Sequence, residues 1–137
     1  MDKSVFIDTA YAIALASGKD IFHERAIQLA EEARRSGVRL VTTRGVVLEI
    51  GNALSRQRYR QAAIKLLTAL ETDSTVEIIP LSQPLYERAW HLYCERPDKE
   101  WGLTDCYSFV AMREFDIKQA LTTDKHFEQA GFERLLK

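Results

Sequence analysis

The chain has 137 residues, 46% hydrophobic and 28% charged, with a formal net charge of −1. That length suits a single domain, 1–137, around one core, and the balance is that of an ordinary globular protein. Its longest uninterrupted apolar run, Ala10 to Ala16, falls far short of the roughly 20 residues that span a bilayer.

Asp2 and Lys3 lead directly into the first apolar segment, so no cleavable leader is expected. Ser4 to Ile7 reads as a short strand, followed by the small-residue segment Ala10 to Ala16. Asp20 is an expected helix N-cap. After it Phe22, Ala26, Leu29, Ala30 and Ala33 recur at helical spacing, and Gly37 stops the helix. Val38 to Thr42 reads as a second strand. Helices are expected over about Gly45 to Arg56 and Arg60 to Glu71. Val76 to Ile79 is a third strand, ended by Pro80. Ser82 and Pro84 open a helix that reaches about Cys94.

Glu95 to Gly102 reads as a loop, and Thr104 is an expected cap for a helix from Asp105 to about Glu114. Ile117 to Thr122 is a fourth strand, while Phe127 to Leu136 has no assignable period. Alternation of this kind implies α/β architecture, with a parallel sheet covered on both faces. Cys94 and Cys106 form no CxxC pair, which fits free thiols in a cytoplasmic protein.

Four acids stand where apolar segments end or helices begin: Asp8, Glu49, Asp105 and Asp124. Asp8 and Asp124 follow buried strands, at the sheet end where ligand crevices form. Each acid also has a purely structural explanation. Asp8 and Asp124 suit strand-exit turns, and Asp105 suits the first turn of a helix. Glu49 lies at the edge of the apolar face formed by Val46, Val47, Ile50, Ala53 and Leu54, where a surface glutamate would also sit. Together the four offer hard oxygen ligands suited to Mg²⁺ or Mn²⁺, ions that serve phosphoryl chemistry. Without these four, 16 acids of the 20 face 19 bases, so a masked site would leave no surface repulsive to a polyanion.

Other chemistries find less support. His23, His91 and His126 show no HxH or HExxH spacing, which argues against a zinc site. Six glycines form neither GxGxxG nor a P-loop. An aspartyl-phosphate hydrolase using Asp8 would need a second acid two residues on, where Ala10 stands. Arg56, Arg58 and Arg60 with Tyr59 make a basic run suited either to phosphate contact or to a solvated helix junction. Lys125 adjoins Asp124 and is a further candidate for a phosphate. Trp90 and Tyr93 suit a core or an interface better than base stacking.

The chain resembles the PIN-domain ribonucleases, in particular the toxins of VapBC-type toxin–antitoxin pairs. The resemblance runs through Phe6-Ile7-Asp8-Thr9, Val47-Leu48-Glu49-Ile50, Gly102 to Ser108 and Leu121 to Phe127. It implies a three-layer α/β/α fold with Asp8, Glu49, Asp105 and Asp124 gathered as catalytic metal ligands, supported by Thr9 and Thr104. It implies Mg²⁺ or Mn²⁺ as cofactor and RNA as substrate. It further implies a small antitoxin partner and a homodimer. One departure is the bulky stretch Ser108 to Met112, expected to reshape the pocket wall. A free-standing RNA-processing nuclease and a non-catalytic PIN-like module that binds RNA or protein are the alternatives. The module would have no reason to gather four charges.

Overall fold

The four apolar runs form strands β1 (Ser4–Ile7), β2 (Arg39–Thr43), β3 (Val76–Ile79) and β4 (Gln119–Leu121) in a computed structural model that describes residues 1–137. A fifth strand, β5 (Glu133–Arg134), lies near the C-terminus. All pairings are parallel, in the order β3-β2-β1-β4-β5. The chain builds outward from β1 through β2 to β3, then crosses to β1's other side. The order therefore reverses between β1 and β4, and the crevice beyond their C-terminal ends is the topological switch point. Ile7 pairs with Leu121, so the two strands release their next residues side by side.

Seven helices cover the sheet: α1 (Thr9–Ala16), α2 (His23–Ser36), α3 (Arg44–Ala53), α4 (Gln57–Thr72), α5 (Gln83–Glu95), α6 (Leu103–Glu114) and α7 (Lys125–Gln129). One group packs α1 against α2 and α4; the other packs α6 against α5 and α7. Helix α3 touches members of both. This is the three-layer arrangement expected.

Local chemistry sets the helix ends. Thr43 accepts the Val46 N–H at 3.1 Å and caps α3, while Ser82 accepts the Leu85 N–H at 3.3 Å and caps α5. Gly37 takes the left-handed conformation, φ 66°, that closes α2. Two expected caps are displaced. Asp20 makes a turn instead, accepting the Phe22 N–H at 2.8 Å, and α2 begins at His23. Thr104 lies inside α6, whose N-cap is Gly102. Asp105, three residues on, folds back to accept the Gly102 N–H at 3.1 Å.

Helix α6 is buried on every side from Cys106 to Met112, as a helix without a polar face must be. Phe109 is fully buried and meets Phe127 edge-on at 4.9 Å and Trp101 at 5.1 Å, with Phe6 6.2 Å from Phe127. The bulk of Ser108 to Met112 therefore fills the core, and none of these residues lines the groove beside Glu49. Trp90 and Tyr93 are not core residues. They stack at 5.7 Å on the outside of α5 and remain nearly half exposed.

Candidate metal centre

Asp8 leaves β1 at the switch point and is only 7% exposed. Its Oδ2 accepts the Thr122 hydroxyl at 2.7 Å, from just beyond β4. That hydroxyl in turn accepts the Asp124 N–H at 3.0 Å. One threonine thus ties together the two strand-end acids. On the other side, Thr9 donates its hydroxyl to Glu49 Oε1, linking α1 to α3. Glu49 itself is exposed and lines a groove that also holds Thr104.

Asp105 and Asp124 meet through a residue that spacing did not reveal. His126 Nδ1 lies 3.0 Å from Asp105 Oδ2 and 3.4 Å from Asp124 Oδ1. Asp124 Oδ1 also accepts the His126 N–H at 2.8 Å, capping α7. Ligand atoms of Asp105, Asp124 and His126 lie within 4.8 Å of one another, a spacing that suits one metal ion. The Gly102 N–H and the His126 ring both use Asp105 Oδ2.

Electrostatics in this cleft favour a cation. Burial, above all, pushes the Asp8 carboxyl up to about 7, aided by the nearby charges of Asp105 and Glu49 and opposed by hydrogen bonds from Thr122 and Thr9. Asp105 is raised as well, first by burial and then by Asp124, while His126 and the Gly102 N–H pull it down. No lysine or arginine pairs with any of the four acids. His126 is the basic group that pairs with Asp105 and Asp124, and the three together offer donors fitted to a divalent ion.

The remaining candidates divide. Thr9 supports Glu49 directly. Thr104 makes no hydrogen bond to an acid and instead lines a groove of about 430 Å³ beside Glu49 with Leu81, Tyr86 and Leu103. Arg60 is committed elsewhere, its guanidinium clasping the Ser55 carbonyl at 2.6 and 3.2 Å. Arg56, Arg58 and Lys125 are exposed. Sequence reasoning gave no site role to Thr122, His126 or Arg134; the last donates to the Thr123 carbonyl at 2.8 Å and steadies the loop before Asp124. The Thr-Thr-Asp-Lys-His order held Thr122 and His126 in plain view; only the fold shows which acids they reach.

The site is thus an acid-lined crevice at the switch point of an open parallel α/β sheet, with donors suited to a divalent ion. The PIN domain profile matches residues 5–133, and the chain belongs to the PIN-domain family, whose members are metal-dependent nucleases. It is 29% identical over 128 residues to the 23S rRNA-specific endonuclease VapC20 of Mycobacterium tuberculosis, covering 93% of this chain and 95% of that protein. The crystal structure of that protein, described as a sarcin–ricin loop cleaving toxin, superposes with a TM-score of 0.81 at 26% identity, over 93% of this chain and 95% of that one. VapBC2 from Rickettsia felis, solved with a DNA fragment, shares the fold with a TM-score of 0.67 at 13% identity, covering 96% of each chain.

Proposed function

We propose that this chain is a Mg²⁺- or Mn²⁺-dependent endoribonuclease, a single PIN unit over 1–137, and the toxin of a toxin–antitoxin pair acting in the cytoplasm. The observation that carries this reading is the hydrogen-bonded chain through the site. It runs from Asp8 through Thr122 to Asp124, and through His126 to Asp105.

Asp8, Glu49, Asp105 and Asp124 would hold the ion through hard oxygens. A bound divalent ion supplies Lewis acidity towards a phosphodiester and lowers the pKa of a water. The chain's own groups prepare that site. Thr122 fixes one Asp8 oxygen and Thr9 fixes one Glu49 oxygen. His126 and the Gly102 N–H hold Asp105 by Oδ2, and its Oδ1 is not used by either contact. Asp8, whose carboxyl burial pushes up to about 7, would give up its proton on holding the ion.

RNA is supported as substrate by the likeness to VapC20, and 23S rRNA is the first RNA to test. Lys125, Arg56 and Arg58 are free to meet its backbone. An antitoxin would silence the site by offering a basic side chain to the same carboxylates, through short charge-assisted contacts. Purified protein should cut RNA with Mg²⁺ or Mn²⁺ and lose that activity in EDTA. Full activity after exhaustive chelation, or activity with zinc alone, would refute the mechanism.

A further inference from the structure

A second feature of the surface lies at the far end of α1. A pocket of about 240 Å³ opens between the link after α1, where Ser17, Gly18 and Lys19 stand, and the first turns of α4, with Arg58, Tyr59 and Ala62. Two cations line it and no acid does. The other basic hollows are neutralised from within. Glu100 joins Arg96 and Lys99, and Glu87 and Glu95 join Arg88 and Arg113.

Neither Lys19 nor Arg58 takes part in an ion pair. The Arg58 guanidinium lies over the Tyr59 ring at 5.0 Å, and Tyr59 packs against the core. The charge therefore rests on a fixed aromatic platform. Both walls are anchored as well. His23 Nδ1 sits 2.7 Å from the Ala14 carbonyl on one side, and Arg60 clasps Ser55 on the other.

Two like charges facing one small concavity repel, and concave walls focus their field outward. The chemistry that relieves this is an anion of phosphate size. Position then narrows its source. Helix α1 starts at Thr9, on the acidic cleft, and ends at Ala16, on the pocket wall. Its eight residues separate the two by about 12 Å along the helix axis, a gap that a single strand can bridge.

We propose that the Lys19–Arg58 pocket is a phosphate subsite for the RNA substrate, gripping a backbone phosphate some nucleotides away from the one that is cut. This rests on the RNA-cleavage reading above. The subsite recognises strand and spacing rather than sequence, since phosphate contacts position a nucleic acid without reading its bases. It also explains how a chain of net charge −1 holds a polyanion beside an acidic centre: attraction is local and displaced from the cut.

The test uses anisotropy of a labelled single-stranded RNA oligonucleotide, with cleavage blocked by Asp8→Asn. Adding Lys19→Ala and Arg58→Ala should weaken binding about tenfold and reduce the slope of log affinity against log salt by about 0.7, the value for one single-strand phosphate. In the cleaving protein the loss should fall on KM, and it should shrink as the RNA is shortened below the span of α1. Lys19→Arg with Arg58→Lys should restore affinity. Both side chains are exposed, so the double variant should melt as the parent does. Unchanged affinity and salt slope, in a parent that binds RNA, would overturn the subsite. A parent that neither binds nor cuts RNA would overturn the cleavage reading, and the subsite with it.

Discussion

Asp8 is held by Thr122 in a position that burial makes unfavourable for its charge. Its folded pKa, about 7, lies above the ordinary 3.8, so the folded state keeps a proton that the unfolded chain has lost. This contribution to stability is complete below about pH 3.8 and disappears as pH rises through about 7. At 1.36 kcal/mol per pKa unit the metal-free protein loses roughly 4 kcal/mol across that window. Asp8→Asn should remove the dependence: variant and parent should melt alike near pH 4, with the variant higher above pH 7. A divalent ion should raise the melting temperature of the parent more than that of the variant. Equal pH slopes in the two proteins would show that Asp8 is not the strained group. Asp105→Asn should abolish RNA cleavage while keeping the fold, because an amide oxygen can still accept the Gly102 N–H and the His126 ring. Asp73→Asn and Asp116→Asn serve as controls. Asp73 needs only one oxygen, for Thr75, and Asn tolerates the φ of 53° at position 116. Loss of cleavage in the controls would mean the wrong acids had been chosen.

At the scale of elements, the acids are placed by what lies beneath them. Helix α7 is only five residues long and is pinned by Phe127, buried between Phe6 and Phe109. Asp124 and His126 both stand within three residues before that anchor. Phe127→Ala should cost about 3–5 kcal/mol in urea unfolding and weaken metal binding by calorimetry, with Phe127→Leu milder in both. Metal affinity unchanged in a strongly destabilised Phe127→Ala would show that the loop holds its shape without the aromatic core. The same elements show what the sequence could disclose. Strands β1 to β3 were legible because β-branched and aromatic residues cluster there and turn residues bound them. Strand β5 was not, since its two residues, Glu133 and Arg134, are polar and gain their place by pairing with Gln119 and Ala120. The start of α6 was misread by a residue type: Thr104 looks like a cap, but the backbone N–H of Gly102 and the side chain of Asp105 do that work. Strand-end position exposed Asp8 and Asp124. The pairing of His126 with Asp105, across 21 residues, left no periodic trace.

For the whole molecule, the unpartnered surface is informative. Tyr86, Trp90 and Tyr93 recur at helical spacing on the outside of α5 and are 42%, 49% and 44% exposed. Leu81 and Leu48 extend the apolar surface at 53% and 55% exposed, and Leu48 adjoins Glu49. Exposed aromatic patches of this kind mark interaction surfaces, and aromatic residues are enriched at interface centres. We propose that this patch is the face on which two copies of the chain pair. An antitoxin would then meet two sites on one particle, and co-expression with it should relieve any toxicity of the free protein. Light scattering should give the mass of a dimer. Trp90→Glu, which sets a charge in the middle of the stripe, should give a monomer with unchanged circular dichroism. A parent protein that runs as a monomer at micromolar concentration would remove this face from the assembly.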